Sequence, residues 1–256
     1  MGVTKGRPTA AILGLGLVGG SLARALSKAG WRVLGVDRAP IYRRARFARV
    51  VATPRLGLRE AVEEADIVVL AAPPEANLAL LRRLSDLGTR AVITDVGSVK
   101  GPICREARRL GLRAFVGGHP MAGTEGSGFG ASSRDLFRGR VWVLTGAPSL
   151  ATRTVRSMVA AVGARAYSMK PEDHDRAVAF LSHLPQMASW ALLAAAVSDP
   201  VARKHQAIAG PGFRDMTRLA ASPRRLWSQI LEQNHGEVQR ALRLLVRSLS
   251  TPPGER

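Results

Sequence analysis

Thr9 to Asp37 reads TAAILGLGLVGGSLARALSKAGWRVLGVD. An apolar run breaks at glycines, an amphipathic stretch ends near Gly30, and a second apolar run closes on an aspartate, which is the pattern of strand, turn, helix and strand. Gly14, Gly16 and Gly19 form the G-x-G-x-x-G arrangement. The first glycine permits the tight turn, the second a close approach of backbone to a pyrophosphate, and the third the packing of helix on strand. Leu15, Leu17 and Val18 complete that loop, and the helix N-terminus behind it offers unpaired N–H groups to an anion. Asp37, at the end of the second strand, is placed to bond a ribose diol and to repel a 2′-phosphate, so NAD is the expected cofactor. Arg38 beside it is the residue type that pairs with that phosphate, and NADP therefore stays open.

The alternation continues beyond this unit. Asp66 to Ala71, Ala91 to Asp95, Arg113 to Val116, Val141 to Leu144 and Arg165 to Tyr167 read as strands, with helices after Pro73-Pro74 and from Lys100. The expected fold is α/β: a Rossmann-type, doubly wound, mostly parallel sheet over residues 7–169, followed by an all-helical dimerisation domain over 170–250. Ligands in such sheets bind beyond the carboxyl ends of the strands. Ala72 and Pro73 end one strand, DVGSVK (Asp95 to Lys100, with Ser98) ends the next, and GGHP (Gly117 to Pro120, with His119) ends a third. The loop GHPMAGTEGSGFG, Gly118 to Gly130, is too rich in glycine for helix or strand and is read as facing a ligand.

In the second half, Pro185 interrupts a helical pattern beside Ser182, His183 and Gln186, which points to a polar pocket at a bend. The stretch Met187 to Val197 is almost wholly apolar and is expected to be buried on all sides, which in so small a domain implies a partner subunit and a homodimer. It is also too short to cross a bilayer, and the N-terminus lacks the apolar core of a signal peptide, so a cytoplasmic protein without a membrane role is expected. Cys104 is the single cysteine, which excludes an internal disulfide and a cysteine-based metal cluster; no metal is expected.

A net charge of +19 invites a nucleic-acid reading. The arginines, however, lie in ones and twos along the whole chain, and aromatics are only 5%, so no basic tract with interleaved stacking residues exists. A positive field that gathers small anionic substrates is the reading retained.

GLGLVGGSLARAL, DVGSVK, GGHPMAGTEGSG, DHDRAVAFLSHLPQ and FRDMTRLAASPRRLW, in this order, resemble the prephenate and arogenate dehydrogenases of tyrosine biosynthesis. The resemblance spans nearly the whole chain. It implies an NAD(P)-binding Rossmann domain, a helical dimerisation domain, and oxidation of a 4-hydroxycyclohexadiene acid with loss of carbon dioxide. It also implies His119 as catalytic base, a task that a neutral imidazole suits. Ser98 matches the serine that bonds the catalytic histidine or the cofactor, a plain helix cap being its other use. Arg218 matches the arginine that holds a substrate carboxylate. Thr124 and Glu125 match residues lining the site, or serve to order the loop. His174, Ser182 and His183 match the pocket wall of the helical domain, and for His183 a structural bond near Pro185 is the alternative. Trp227 matches an aromatic that relatives can supply from the partner subunit, or anchors the core. Gln186 stands where some relatives have a second pocket histidine. Within these residues there is room for neither a chorismate mutase domain nor a regulatory domain, so any tyrosine feedback is expected at the active site.

Prephenate with NAD is the expected substrate and cofactor. An arogenate dehydrogenase using NAD or NADP, and another two-domain Rossmann oxidoreductase of the β-hydroxyacid dehydrogenase type, are the alternatives.

Overall fold

The computed structural model describes residues 6–52, 57–124 and 126–250. They form two compact units that divide between Glu172 and Asp173.

The first unit runs β1 (Thr9–Leu13), α1 (Leu17–Lys28), β2 (Arg32–Val36), α2 (Ala39–Phe47), α3 (Leu58–Glu63), β3 (Ile67–Leu70), α4 (Pro74–Leu87), β4 (Val92–Asp95), α5 (Gly101–Arg109), β5 (Phe115–Pro120), β6 (Val141–Thr145), α6 (Leu150–Ala161) and β7 (Arg165–Ser168). Its seven strands stand in the order β2-β1-β3-β4-β5-β6-β7. All neighbours pair in parallel except β5 and β6. Parallel neighbours need a crossover, here a helix each time. Between β5 and β6 the described residues hold only a short 3-10 turn, Phe129–Ala131, and the chain returns antiparallel.

Both faces of the sheet are covered, and β1 to β5 each serve both. In β1, Ala10 and Ile12 join a core with Leu22 and Leu26 of α1 and Val155 and Met158 of α6. Ala11 and Leu13 join the opposite core with Leu81 and Leu84 of α4 and Ile103 and Ala107 of α5. Strands buried on both faces read as continuous apolar runs, which is why IVVL and TAAIL are legible in the sequence.

One strand differs from the expectation. β5 extends through Pro120, not to Val116, so Gly118, His119 and Pro120 are strand residues paired with Leu144, Val143 and Trp142 of β6. Glycine and proline argued for a loop; an antiparallel partner on one side supplies the pairing that they discourage. Gly118 is also required sterically, since a Cβ there would stand 2.5 Å from the Asp95 carbonyl oxygen.

The second unit is helical. A continuous helical stretch from Pro171 to Ser198 comprises α7 (Pro171–Val178), a π turn (Ala179–His183) and α8 (Leu184–Ser198). Pro185 has no N–H for the Leu181 carbonyl, and the π turn is the form this interruption takes. The extra residue rotates the buried face: His174 and Val178 lie inside, then His183, Gln186 and Ser189, while Leu181 is 78% exposed. There follow α9 (Pro200–Lys204), α10 (Pro211–Thr217), α11 (Arg224–Gln233) and α12 (His235–Ser250). The final segment is two helices, broken at Asn234.

Met187 to Val197 is not buried on all sides within one chain. Leu192 and Val197 are exposed, and the unit's own core is small, with Ala179, Val238 and Ala241 at its centre. By length and composition the helix Pro171–Ser198 suffices to cross a membrane. It nevertheless carries five buried polar residues, His174, Asp175, His183, Gln186 and Ser189.

Candidate active site

In the first unit the strand ends are aligned. Val36, Leu13, Leu70 and Asp95 are successive partners across β2, β1, β3 and β4, so the loops that follow them lie along one edge. Gly14, Asp37, Ala72 and Ser98 are on those loops. Because Thr94 pairs with Val116, Gly117 is level with Asp95, and β5 runs on past the edge. At ~3.3 Å per residue, His119 stands about 7 Å beyond the line of strand ends. It is 8% exposed.

The glycine loop divides its labour as the spacing predicts. Gly14 has φ +103°, and a Cβ there would meet Ala71 and Ala72 backbone at 2.7–2.8 Å. At Gly19 a Cβ would lie 2.0 Å from the Gly14 carbonyl oxygen. These two glycines serve the protein's own packing. Gly16 does not, since a Cβ there would meet nothing within 4 Å. Gly16 is the N-cap of α1 and no side chain caps the helix, which leaves its first N–H groups facing the open side. The Asp37 carboxylate accepts hydrogen bonds from the N–H groups of Leu15 and Arg38, both at 2.6 Å, and so borders the loop. Arg38 caps α2 and is exposed. Ala72 N–H donates to the buried Asn77 at 3.0 Å, fixing the turn that leads to Pro73.

Ser98 is half-buried in the turn between β4 and α5. The N-cap of α5 is Lys100, so Ser98 is not that helix's cap. Beneath the turn lies a pair whose role residue type alone does not reveal: Asp95 and Lys100, 1% and 0% exposed, joined as an ion pair. The available signal was an acid and a lysine flanking one strand-to-helix turn, in a chain with lysine at only five positions. On the β5–β6 connection, Thr124 is exposed and its hydroxyl accepts the Gly126 N–H at 3.3 Å, a loop-ordering bond. Glu125 lies outside the described residues.

The second unit gathers most of its candidates. His174 Nδ1 is 2.7 Å from the Asp175 carboxylate. Asn234 donates to the Asp175 carbonyl at 2.7 Å and stands 3.3 Å from His183 Nδ1. The Trp227 ring is edge-on to His183, with centroids 5.9 Å apart, and to Trp190 at 6.2 Å. Gln186 donates to the Leu219 carbonyl at 2.7 Å, and Trp190 to Ala220 at 3.2 Å. Those carbonyls belong to the 3-10 turn Arg218–Ala221, so α8 holds the turn that bears the exposed Arg218. His183 Nε2 and Gln186 Oε1 are buried with no hydrogen-bond partner among the described residues. Ser182 is half-buried beside them. Asp175, Trp190 and Asn234 were missed in the sequence; Asn234 carries no signal there, being one polar residue in a helix-rich stretch.

Burial lowers the His183 pKa from 6.5 to about 4, against the pull of Asp175 and with a small push from His174. The unfolded chain then binds the proton more readily, so stability is complete above 6.5 and is lost as pH falls toward 4. The shift corresponds to about 3 kcal/mol. Urea unfolding across that window is expected to show the loss in the wild type and a flatter profile in His183→Gln; identical profiles would show that His183 is not the titrating group.

A glycine loop at a strand-order switch, a histidine carried past the strand ends and a helical second unit define a Rossmann-type nucleotide-binding unit followed by a helical one. Family models agree in detail. The nucleotide-binding domain of prephenate dehydrogenase matches residues 22–168, and its dimerization domain matches residues 170–251. The prephenate dehydrogenase of Lactococcus lactis is 34% identical over 233 residues, 87% of this chain and 64% of that protein. Among solved structures, prephenate dehydrogenase from A. aeolicus, in complex with hydroxyphenyl propionate and NAD+, has a TM-score of 0.86 at 30% identity, covering 96% of this chain and 90% of that one. The Synechocystis arogenate dehydrogenase has a TM-score of 0.80 at 32% identity, covering 94% and 89%. The chain belongs to the prephenate dehydrogenase family. It spans about two thirds of the length of the first curated relatives. Family membership decides against the β-hydroxyacid dehydrogenase alternative.

Proposed function

We propose that this protein oxidatively decarboxylates prephenate to 4-hydroxyphenylpyruvate with NAD as the hydride acceptor. The observation that carries the reading is β5, which takes His119 two residues past the strand ends on whose loops the glycine turn, Asp37 and Ser98 lie. The residues suit NAD. Gly16 opens to free space, the N-terminus of α1 is uncapped, and Asp37 offers a carboxylate to a ribose diol at the border of the same loop. Gly14 and Gly19 shape that loop, Leu15, Leu17 and Val18 supply its backbone, and Ala72, Pro73 and Ser98 flank it. When bound, the nicotinamide supplies a hydride acceptor.

His119 accepts the substrate hydroxyl proton as the carbinol becomes a carbonyl. The ring carboxylate leaves as carbon dioxide and the ring becomes aromatic, so the protein's task is chiefly to position and to move one proton. Ser98 orients the imidazole or the cofactor. Arg218 holds a substrate carboxylate with its planar guanidinium, and His174, His183, Gln186 and Trp227 are the helical unit's other candidate substrate-binding residues. Arg218→Ala is expected to raise the KM for prephenate about 10- to 100-fold, the loss of a charge-assisted bond, with a smaller change in kcat. An unchanged KM would remove Arg218 from the carboxylate site.

Prephenate is preferred to arogenate because it is the more anionic of the two and the chain carries a net charge of +19. The apolar outer face of α8 and the dimerization-domain match support a homodimer through residues 170–250 in a cytoplasmic protein. Steady-state rates with prephenate and arogenate, each with NAD and NADP, test the reading. The highest kcat/KM is expected for prephenate with NAD; a preference for arogenate or NADP moves the assignment to that pair.

A further inference from the structure

Asp95 and Lys100 have no part in the reaction as proposed above, yet both are sealed inside the first unit, on either side of Ser98 in the β4–α5 turn. A buried ion pair contributes little net stability, because desolvation offsets most of the attraction. What this pair holds is more telling. The Asp95 carboxylate accepts the Gly97 N–H at 2.8 Å and the Gly118 N–H at 3.0 Å. Lys100 Nζ donates to Asp95 and, at 2.7 Å, to the Gly118 carbonyl. Gly97 precedes Ser98, and Gly118 precedes His119.

The backbone does not do this work. The β4–β5 pairing ends at Thr94 and Val116, and beyond it β5 is held by β6 on one side only. Both main-chain groups of Gly118 are instead taken by the two side chains, which continue the β4–β5 contact by the residue that matters. Glycine at 117 and 118 lets them approach: a Cβ at Gly117 would lie 3.4 Å from Lys100 Cδ and 2.3 Å from the Thr145 hydroxyl.

We propose that Asp95 and Lys100 are positioning residues that lock the Ser98 turn to the His119 strand and so fix the imidazole relative to the reacting hydroxyl. The proposal rests on His119 being the base. Displacement of a catalytic group by about 1 Å can cost about 100-fold in rate, which is the scale expected here.

The test is a cycle of Asp95→Asn and His119→Asn, singly and together, with kcat, KM and the Kd for NAD measured on each. Asp95→Asn is expected to lower kcat about 100-fold with little change in the Kd for NAD. In the His119→Asn background it is expected to cost little more, because nothing is left to position. Should Asp95→Asn fail to fold, the neutral pair Asp95→Asn/Lys100→Met, similar in volume, replaces it in the cycle. That pair is expected to recover thermal stability without recovering kcat. Full additivity with His119→Asn, or wild-type kcat in the folded neutral pair, would overturn the positioning role. Normal turnover in His119→Asn alone would overturn the base assignment and this role with it, a result distinct from additivity.

Discussion

His119→Asn is expected to lower kcat by about 100- to 10,000-fold, the range for removal of a general base, while the Kd for NAD stays near its wild-type value. Asparagine keeps a polar group on the strand but cannot take a proton near neutral pH. The fold is not at risk, because β5 is held at this level by its pairing with Val143 and by the Asp95 and Lys100 side chains on the Gly118 main chain, none of which uses the imidazole. Parallel measurement of kcat and of NAD binding separates chemistry from recognition. Wild-type turnover in a variant that still binds NAD would leave His119 as a strand residue and nothing more.

Gly19→Ala and Gly16→Ala form the second large contrast. A Cβ at Gly19 would fall 2.0 Å from the Gly14 carbonyl oxygen and 2.9 Å from the Ala71 Cβ, so α1 must move away from β1 and β3. Overpacking of this kind costs about 3 kcal/mol, and the displaced helix N-terminus is also the expected pyrophosphate site. Gly19→Ala should therefore lower Tm and weaken NAD binding together. A Cβ at Gly16 meets nothing in the protein. Gly16→Ala should leave Tm unchanged and weaken NAD binding alone, about tenfold or more, which corresponds to about 1.4 kcal/mol of lost contact. Equal Tm losses in the two variants, or NAD binding untouched by both, would show that the loop is only a structural turn.

Much of the nucleotide-binding unit is legible in the sequence because its strands are buried on both faces and its glycine spacing has one steric solution. The continuous apolar runs mark β1 and β3 directly, and the glycine turn marks where α1 begins, although the helix ends at Lys28, two residues before Gly30. His119 was legible as a residue and misread as to its setting. Its neighbours Gly117, Gly118 and Pro120 discourage strand on propensity alone, whereas the antiparallel partner β6, twenty residues further on, imposes it. Tertiary pairing of that range leaves no local trace.

The helical unit was legible as helix but not in its facing. A π turn before Pro185 advances the helix phase by one residue, which exposes Leu181 and buries His183, so no single helical period runs through the break. The apolar stretch after it reads as buried on all sides with a partner subunit's help; within one chain it is largely surface. Asp95, Lys100 and Asn234 escaped for a different reason. Each acts through a hydrogen bond to a distant backbone group, and residue type alone does not reveal such partners.

The central claim is a coupled hydride transfer and decarboxylation on prephenate, and the most direct measurement is its stoichiometry. Purified protein would be given NAD and a limiting amount of prephenate, with reduced nicotinamide followed by absorbance and 4-hydroxyphenylpyruvate and carbon dioxide quantified at completion. Equal amounts of all three are predicted. Bound NAD with no reduced nicotinamide formed, or reduction without release of carbon dioxide, would contradict it.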